Sequence, residues 1–229
     1  SIKKFNKHNK VCVVTNKQVN EELFDFVKVL NQDDSADQEW KLNNEYKVFN
    51  LTPFTHTIKL EADMLFTQET DWWWNYLWQH NQVFSYKCRN YKDEVIEKSF
   101  YRRLFYRNGL PDVYSGLHYF RRSKEAQQFF NLCETIVKDW QTVKENILIN
   151  CHDEQPTTDV VYALANKIQD PLQVNKFDYE WFKFMHNKKH INKVNSIYEN
   201  DNYLYPLKVK NKLYIGAYRQ NRIVHYHNK

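Results

Sequence analysis

The run Thr57-Ile58-Lys59-Leu60 leads into Glu61-Ala62-Asp63, and the chain turns apolar again at Met64-Leu65-Phe66. No other feature limits the possible folds as strongly. The run has the length and composition of a buried strand. Residues two apart on a strand point to the same side, so the carboxylates of Glu61 and Asp63 converge. In an open α/β sheet, ligands bind where strands end at the carboxyl edge. Two carboxylates at that place suit a hard divalent cation, which in turn holds phosphate oxygens. A solvated strand end is the other reading, because strands often finish on acidic residues.

The flanking sequence predicts further elements of an α/β domain. Val11–Thr15 and Val48–Leu51 read as strands, like Thr57–Leu60. Between the first two, Leu23, Phe26, Val27 and Leu30 recur at helical spacing, and residues 31–44 read as a polar loop. Strand, helix, strand predicts a mostly parallel sheet flanked by helices. Asp71 is placed to cap a helix carrying Trp74, Leu77 and Trp78, with Trp74 facing the core and another of the three tryptophans facing outward. Ser123 caps the clearest helix, whose apolar face is Ala126, Phe129, Phe130, Cys133, Ile136, Val137 and Trp140. A second helix starts near Thr157 or Thr158 and carries Val160, Val161, Leu164 and Ile168. From Leu207 the tail reads as a hairpin turning at Arg219–Arg222. The opening residues read as the end of a helix, which predicts that a first strand of the sheet precedes them. One domain over 1–229 is expected, with a core over 1–170 and a less regular closing segment over 171–229.

Composition removes several classes. The chain has only three glycines, with no G-x-G-x-x-G and no G-K-[ST], so neither a dinucleotide fingerprint nor a P-loop is present. Cys12, Cys88, Cys133 and Cys151 are scattered without a C-x-x-C, which suits reduced thiols in the cytoplasm. No stretch is long and apolar enough for a membrane span. The net charge of +5 is concentrated in residues 86–122, which carry nine bases against four acids.

With its neighbours, the segment "KLEADMLF" resembles the short acidic motif of the GT-A fold glycosyltransferases, which use nucleotide sugars. That motif usually begins with Asp, and Glu61 departs from it. "NGLPDVYSGLHYFRRSKEAQQFF" is similar to the family's small-residue pair beside the donor sugar, with Ser115 and Gly116 in place; Gly116 permits close approach because it lacks a Cβ. Asp153-Glu154 resembles the acidic pair found beside the reaction centre. The resemblance implies that one of them acts as the acceptor base in an inverting enzyme, a kind of assistance worth about 10²–10⁴-fold. Asp159 competes for that role, but the helix dipole accounts for an acid in a first helical turn. His225 and His227 alternate with Tyr226, and the family often completes its metal site with a histidine near the C-terminus. Glu61, Asp63 and His225 or His227 are thus the implied ligands of Mn²⁺ or Mg²⁺.

The resemblance also implies a diphosphate cradle, for which Lys59, His186, Lys188, Tyr218 and Arg219 are candidates. The combined motifs look most like glycosyltransferases encoded by large tailed phages, which implies a host cytoplasm and hydroxymethylated pyrimidines in DNA as a possible acceptor. Arg102, Arg103, Arg107, Arg121 and Arg122, interleaved with Tyr and Phe, suit such a polyanion. A protein or glycan acceptor and a non-catalytic module of the same shape remain the alternative readings. A nucleotidyltransferase is disfavoured, because no glycine-rich triphosphate loop occurs.

Overall fold

A computed structural model describes residues 1–35, 43–96, 102–187, 206–209 and 212–226. The strands are β1 (Cys12–Thr15), β2 (Phe26–Val29), β3 (His56–Leu60), β4 (Met64–Leu65), β5 (Gln82–Tyr86), β6 (Val113–Arg121), β7 (Phe184–Asn187), β8 (Pro206–Val209), β9 (Lys212–Ile215), β10 (Tyr218–Arg219) and β11 (Ile223–Tyr226). The helices are α1 (Ile2–Phe5), α2 (Val48–Leu51), α3 (Trp74–Leu77), α4 (Arg103–Asn108), α5 (Lys124–Lys138), α6 (Trp140–Ile147) and α7 (Thr158–Gln169). None of them is long and apolar enough to cross a membrane.

The chain is mixed α/β, as expected. A mostly parallel sheet, however, is not found among the described residues. The central sheet has the order β3-β6-β5 and is antiparallel throughout. A second sheet, β4-β11-β7, pairs β11 antiparallel to β4 and parallel to β7. β1 and β2 form a parallel pair, and β8-β9-β10 an antiparallel meander.

Three local readings are corrected. Leu23 to Leu30 does not form a helix: a 3₁₀ turn at Glu21–Leu23 is followed directly by β2. Phe26, Val27 and Val29 are aromatic or β-branched, and pairing with β1 uses that preference. Val48–Leu51 is helical instead of extended, continuing a 3₁₀ turn at Glu45–Lys47. It stops at Thr52, which is extended (φ −62°, ψ 133°) because Pro53 follows. The tail is not one hairpin. β8 pairs with β9, whereas β11 leaves them to enter the second sheet, because Ile223 and Val224 are buried in two different clusters.

The readings of α5 and α7 hold in the main, except that α5 ends at Lys138, Val137 is only partly covered, and Trp140, expected on the same helix, begins α6. Ser123 Oγ accepts the Ala126 N–H at 3.2 Å, and Ala126, Phe129, Phe130, Cys133 and Ile136 are buried. In α7 every residue from Thr158 to Asn166 is buried, although Ile168 is exposed. In the tryptophan turn, Thr70 holds the cap position and Trp73 is the buried ring, with Trp74 only partly covered. All four cysteines are free thiols.

β6 is the axis of the molecule, buried from Val113 to Phe120. On one face, Val113 and Phe120 join α5 and α7 in a cluster with Phe84, Phe129, Phe130 and Tyr162. On the other, Tyr114, Leu117 and Tyr119 pack with Met64, Trp73, Leu77 and Phe184. His118 lies among the rings of the first cluster, stacked on Phe84 at 4.3 Å, and its burial pushes its pKa well below the ordinary imidazole value. It is a neutral aromatic core residue.

Arg102, expected on the nucleic-acid face, is instead a core residue. Its Nε donates to Asp112 Oδ1 at 2.6 Å and its Nη1 to Asp159 Oδ2 at 3.0 Å, and the guanidinium lies 3.5 Å from the Phe105 ring centroid. Replacing Arg102 with Ala strands two carboxylates in a covered site, which costs about 3–5 kcal/mol. A urea titration should show a strongly lowered midpoint with an unchanged slope.

Candidate metal centre

β3 delivers Glu61 and Asp63 just beyond its last residue, Leu60. β11 delivers His225, whose register partner on β4 is Met64. The three side chains offer oxygen and nitrogen atoms all within 4.8 Å of one another. His225 Nε2 lies 2.8 Å from Glu61 Oε2 and 3.1 Å from Asp63 Oδ1. His225 is buried, Glu61 is part-exposed and Asp63 is exposed, so the group opens to solvent on the carboxylate side.

The electrostatics suit a cation. Burial disfavours charge on His225, but hydrogen bonds to Asp63 and Glu61, together with their negative charge, raise its pKa to about 9. Two carboxylates therefore hold a proton on the imidazole at neutral pH. A divalent ion satisfies the same carboxylates and needs the neutral ring. Oxygen and imidazole donors together suit Mn²⁺ or Mg²⁺ better than a thiophilic metal.

Ser115 and Gly116 lie against this group. The β5–β6 register jumps from Phe84↔His118 to Ser85↔Tyr114, so residues 115–117 bulge away from β5. Such bulges re-aim side chains next to functional sites. A Cβ on Gly116 would stand 2.7 Å from Met64 Cε and 3.3 Å from Glu61 Cδ. The glycine makes room for the carboxylate of Glu61. Ser115 Oγ sits 3.5 Å from Glu61 Oε1 and 3.0 Å from Asp159 Oδ1, and its N–H donates to Asp159 at 2.8 Å.

Asp159, set aside on sequence, is thus part of the layer beneath the centre. A helix apolar on every side is buried, so an acid in its first turn needs partners; that signal was present in "TTDVVYALAN". Lys59 belongs to the same layer. It is buried, donates to Ser115 O at 2.9 Å and pairs with Glu45. Burial opposes its charge, yet the carboxylates of Glu45, Glu61 and Asp159 raise its pKa. Its role as an open phosphate contact is therefore corrected, because its ammonium is committed to buried partners.

The remaining candidates divide. His186 is adjacent, with its ring centroid 4.6 Å from that of His225. Tyr218 lies on β10 against the Tyr91 ring at 5.6 Å, and Arg219 beside it is exposed; neither shares a hydrogen bond or ion pair with the three-residue group. Asp153 and Glu154 are exposed before α7, where Trp140 Nε1 donates to the Asp153 carbonyl at 3.1 Å. Lys188 and His227 lie outside the described residues. Of the arginines, Arg121 is tied to Asn81 and Arg122 to the Thr52 carbonyl, whereas Arg103 and Arg107 are exposed on α4.

No family model matches the chain, and no curated protein matches it either.

Two outcomes are expected. Mn²⁺ binding near pH 7 should release close to one proton from His225, read as a buffer-dependent heat in calorimetry. Without metal, the raised pKa contributes on the order of 3 kcal/mol of stability, complete below the ordinary 6.5 and lost as pH rises through about 9. In addition, Gly116→Ala should cost about 1 kcal/mol or less, because the end of the Met64 side chain can move aside, yet weaken Mn²⁺ binding by crowding the Glu61 carboxylate, both measurable on the purified protein.

Proposed function

We propose that this chain is a metal-dependent glycosyltransferase of the GT-A kind, moving a sugar from a nucleoside diphosphate to an acceptor hydroxyl. The convergence of Glu61, Asp63 and His225, from two strands far apart in sequence, carries the reading. The bulged Ser115-Gly116 pair beside them supports it.

In this reading Glu61, Asp63 and His225 hold Mn²⁺ or Mg²⁺. The ion supplies charge neutralisation for the departing diphosphate. Asp63, the most exposed of the three, faces the side from which the donor arrives. Asp159 and Lys59 keep Ser115 and Glu61 in place and touch no substrate. The acceptor base is assigned to Asp153 or Glu154, on a segment whose backbone is pinned by Trp140. Asp159 is excluded from that role because its two oxygens already serve Ser115 and Arg102.

For the acceptor, α4 favours a polyanion such as hydroxymethylated DNA. Arg103, Tyr106 and Arg107 share one helical face by their spacing, and Tyr106 is 80% exposed. Cations for phosphates and a ring for an unstacked base fit this arrangement.

Incubation with a panel of nucleotide sugars, in Mn²⁺ or in EDTA, tests the proposal. Release of one nucleoside diphosphate is expected, abolished by EDTA and reduced about 100-fold or more by Asp63→Ala. Release that is indifferent to both changes would sink the transferase reading. Reversing Arg103 and Arg107 to Glu should abolish retention of hydroxymethylated DNA in a gel shift while donor hydrolysis persists.

A further inference from the structure

Arg222 and Ile223, at the start of β11, border a cleft of about 330 Å³ that is distinct from the metal centre. Arg222 precedes His225 by three residues, roughly 10 Å of extended chain. One wall of the cleft is aromatic. Trp72 is 41% exposed, and its ring lies 5.1 Å from that of Trp181 at an interplanar angle of 57°. Tyr179 stacks on Trp181 at 4.9 Å, and Tyr76 packs against it at 5.6 Å, so the wall is rigid.

The charges in the cleft neutralise one another. Arg222 Nε lies 2.5 Å from Asp93 Oδ1, and its Nη2 lies 3.2 Å from Glu180 Oε1. Lys183 Nζ lies 3.0 Å from Asp178 and 3.4 Å from Glu180. A diphosphate or other strong anion finds no uncommitted cation there, and a cation finds its carboxylates already paired. Asp93 and Glu180 are each more than half exposed, so they can still accept hydrogen bonds from a ligand. The amides of Gln68 and Asn221 stand on the same rim.

A rigid indole face ringed by neutralised carboxylates, a guanidinium and amides matches a neutral polyol ring. A pyranose has one C–H face for the indole and a circle of hydroxyls that both donate and accept. A flat nucleobase fits less well: Trp72 and Trp181 are tilted and already in contact, and so form no parallel slot. We propose that the cleft between Trp72, Trp181 and Arg222 is a binding site for a neutral pyranose, independent of metal. The argument stands on the lining of the cleft and does not require the transferase reading.

Saturation-transfer NMR and tryptophan fluorescence on the full chain in EDTA test it. The probes are the methyl glycosides of glucose, galactose, mannose and N-acetylglucosamine, with adenosine and thymidine as flat-ring comparisons. Saturation should reach the ring protons of at least one glycoside, with a Kd on the order of 1–10 mM. Trp72→Ala should weaken that binding roughly tenfold, the scale of one aromatic contact. The double substitution Gln68→Ala and Asn221→Ala, on exposed side chains, should weaken it several-fold and serves if Trp72→Ala fails to fold. Silence from all four glycosides, preference for a nucleoside, or full binding by a folded variant overturns the proposal.

Discussion

β6 is buried from Val113 to Phe120, and that burial governs every polar group placed along it. The backbone of Ser115, bulged away from β5, must find partners inside the protein. Its N–H goes to Asp159 and its carbonyl to Lys59. Each of those partners is itself charged and covered, so each demands another. Asp159 is met by Arg102 and Lys59 by Glu45, and Arg102 reaches on to Asp112. The chain of pairs is the consequence of one irregular stretch in a doubly covered strand. A half-satisfied network of this kind is worse than an apolar core, which ties the identity of these residues together.

The candidate metal centre stands at the open end of that network. Glu61 faces inward to Ser115 and outward to His225, so it links the buried supporting layer to the solvent-facing group. The His225 imidazolium offsets part of the charge of Glu61 and Asp63 without an ion, while Lys59 below them is paired with Glu45. Exchange of the His225 proton for a divalent cation alters that balance only at the exposed side. The supporting contacts, Lys59 to Ser115 and Ser115 to Asp159, are made without His225, as a pre-organised site requires.

Glu61 and Asp63 were readable as an acidic pair at the end of an apolar run, although they converge in the turn after β3 and not through the period of a strand. The α5 core face was readable because a capped helix has period 3.6. Residues 23–30 satisfied a helical spacing and a strand composition at once, a conflict that short apolar runs cannot resolve locally. The four residues at 48–51 were shorter still, and the proline at 53 was the better signal. Strand direction was not legible, because β3 and β5 meet β6 through pairings that no local pattern encodes. Arg102 was misplaced for a similar reason: a basic residue in a basic stretch looks solvated until acids from two other segments are brought to it.

The last constraint is register. β11 has only four residues, and a slip of one position would carry Val224 or Tyr226 to the carboxylates in place of His225. Four features oppose the slip. Val224 pairs with Leu65 on one side and with Met185 on the other, so both edges of the strand are engaged. Ile223 and Val224 are buried in separate clusters, and exchanging them would misfill both. Thr67 Oγ1 donates to the Arg222 carbonyl at 2.8 Å, fixing the entry to the strand. Arg222 itself is held by Asp93 and Glu180 at the aromatic cleft. The packing of the cleft at one end of β11 thus helps to decide which residue reaches Glu61 and Asp63 at the other, and the two places are joined by a strand too short to be set correctly by either alone.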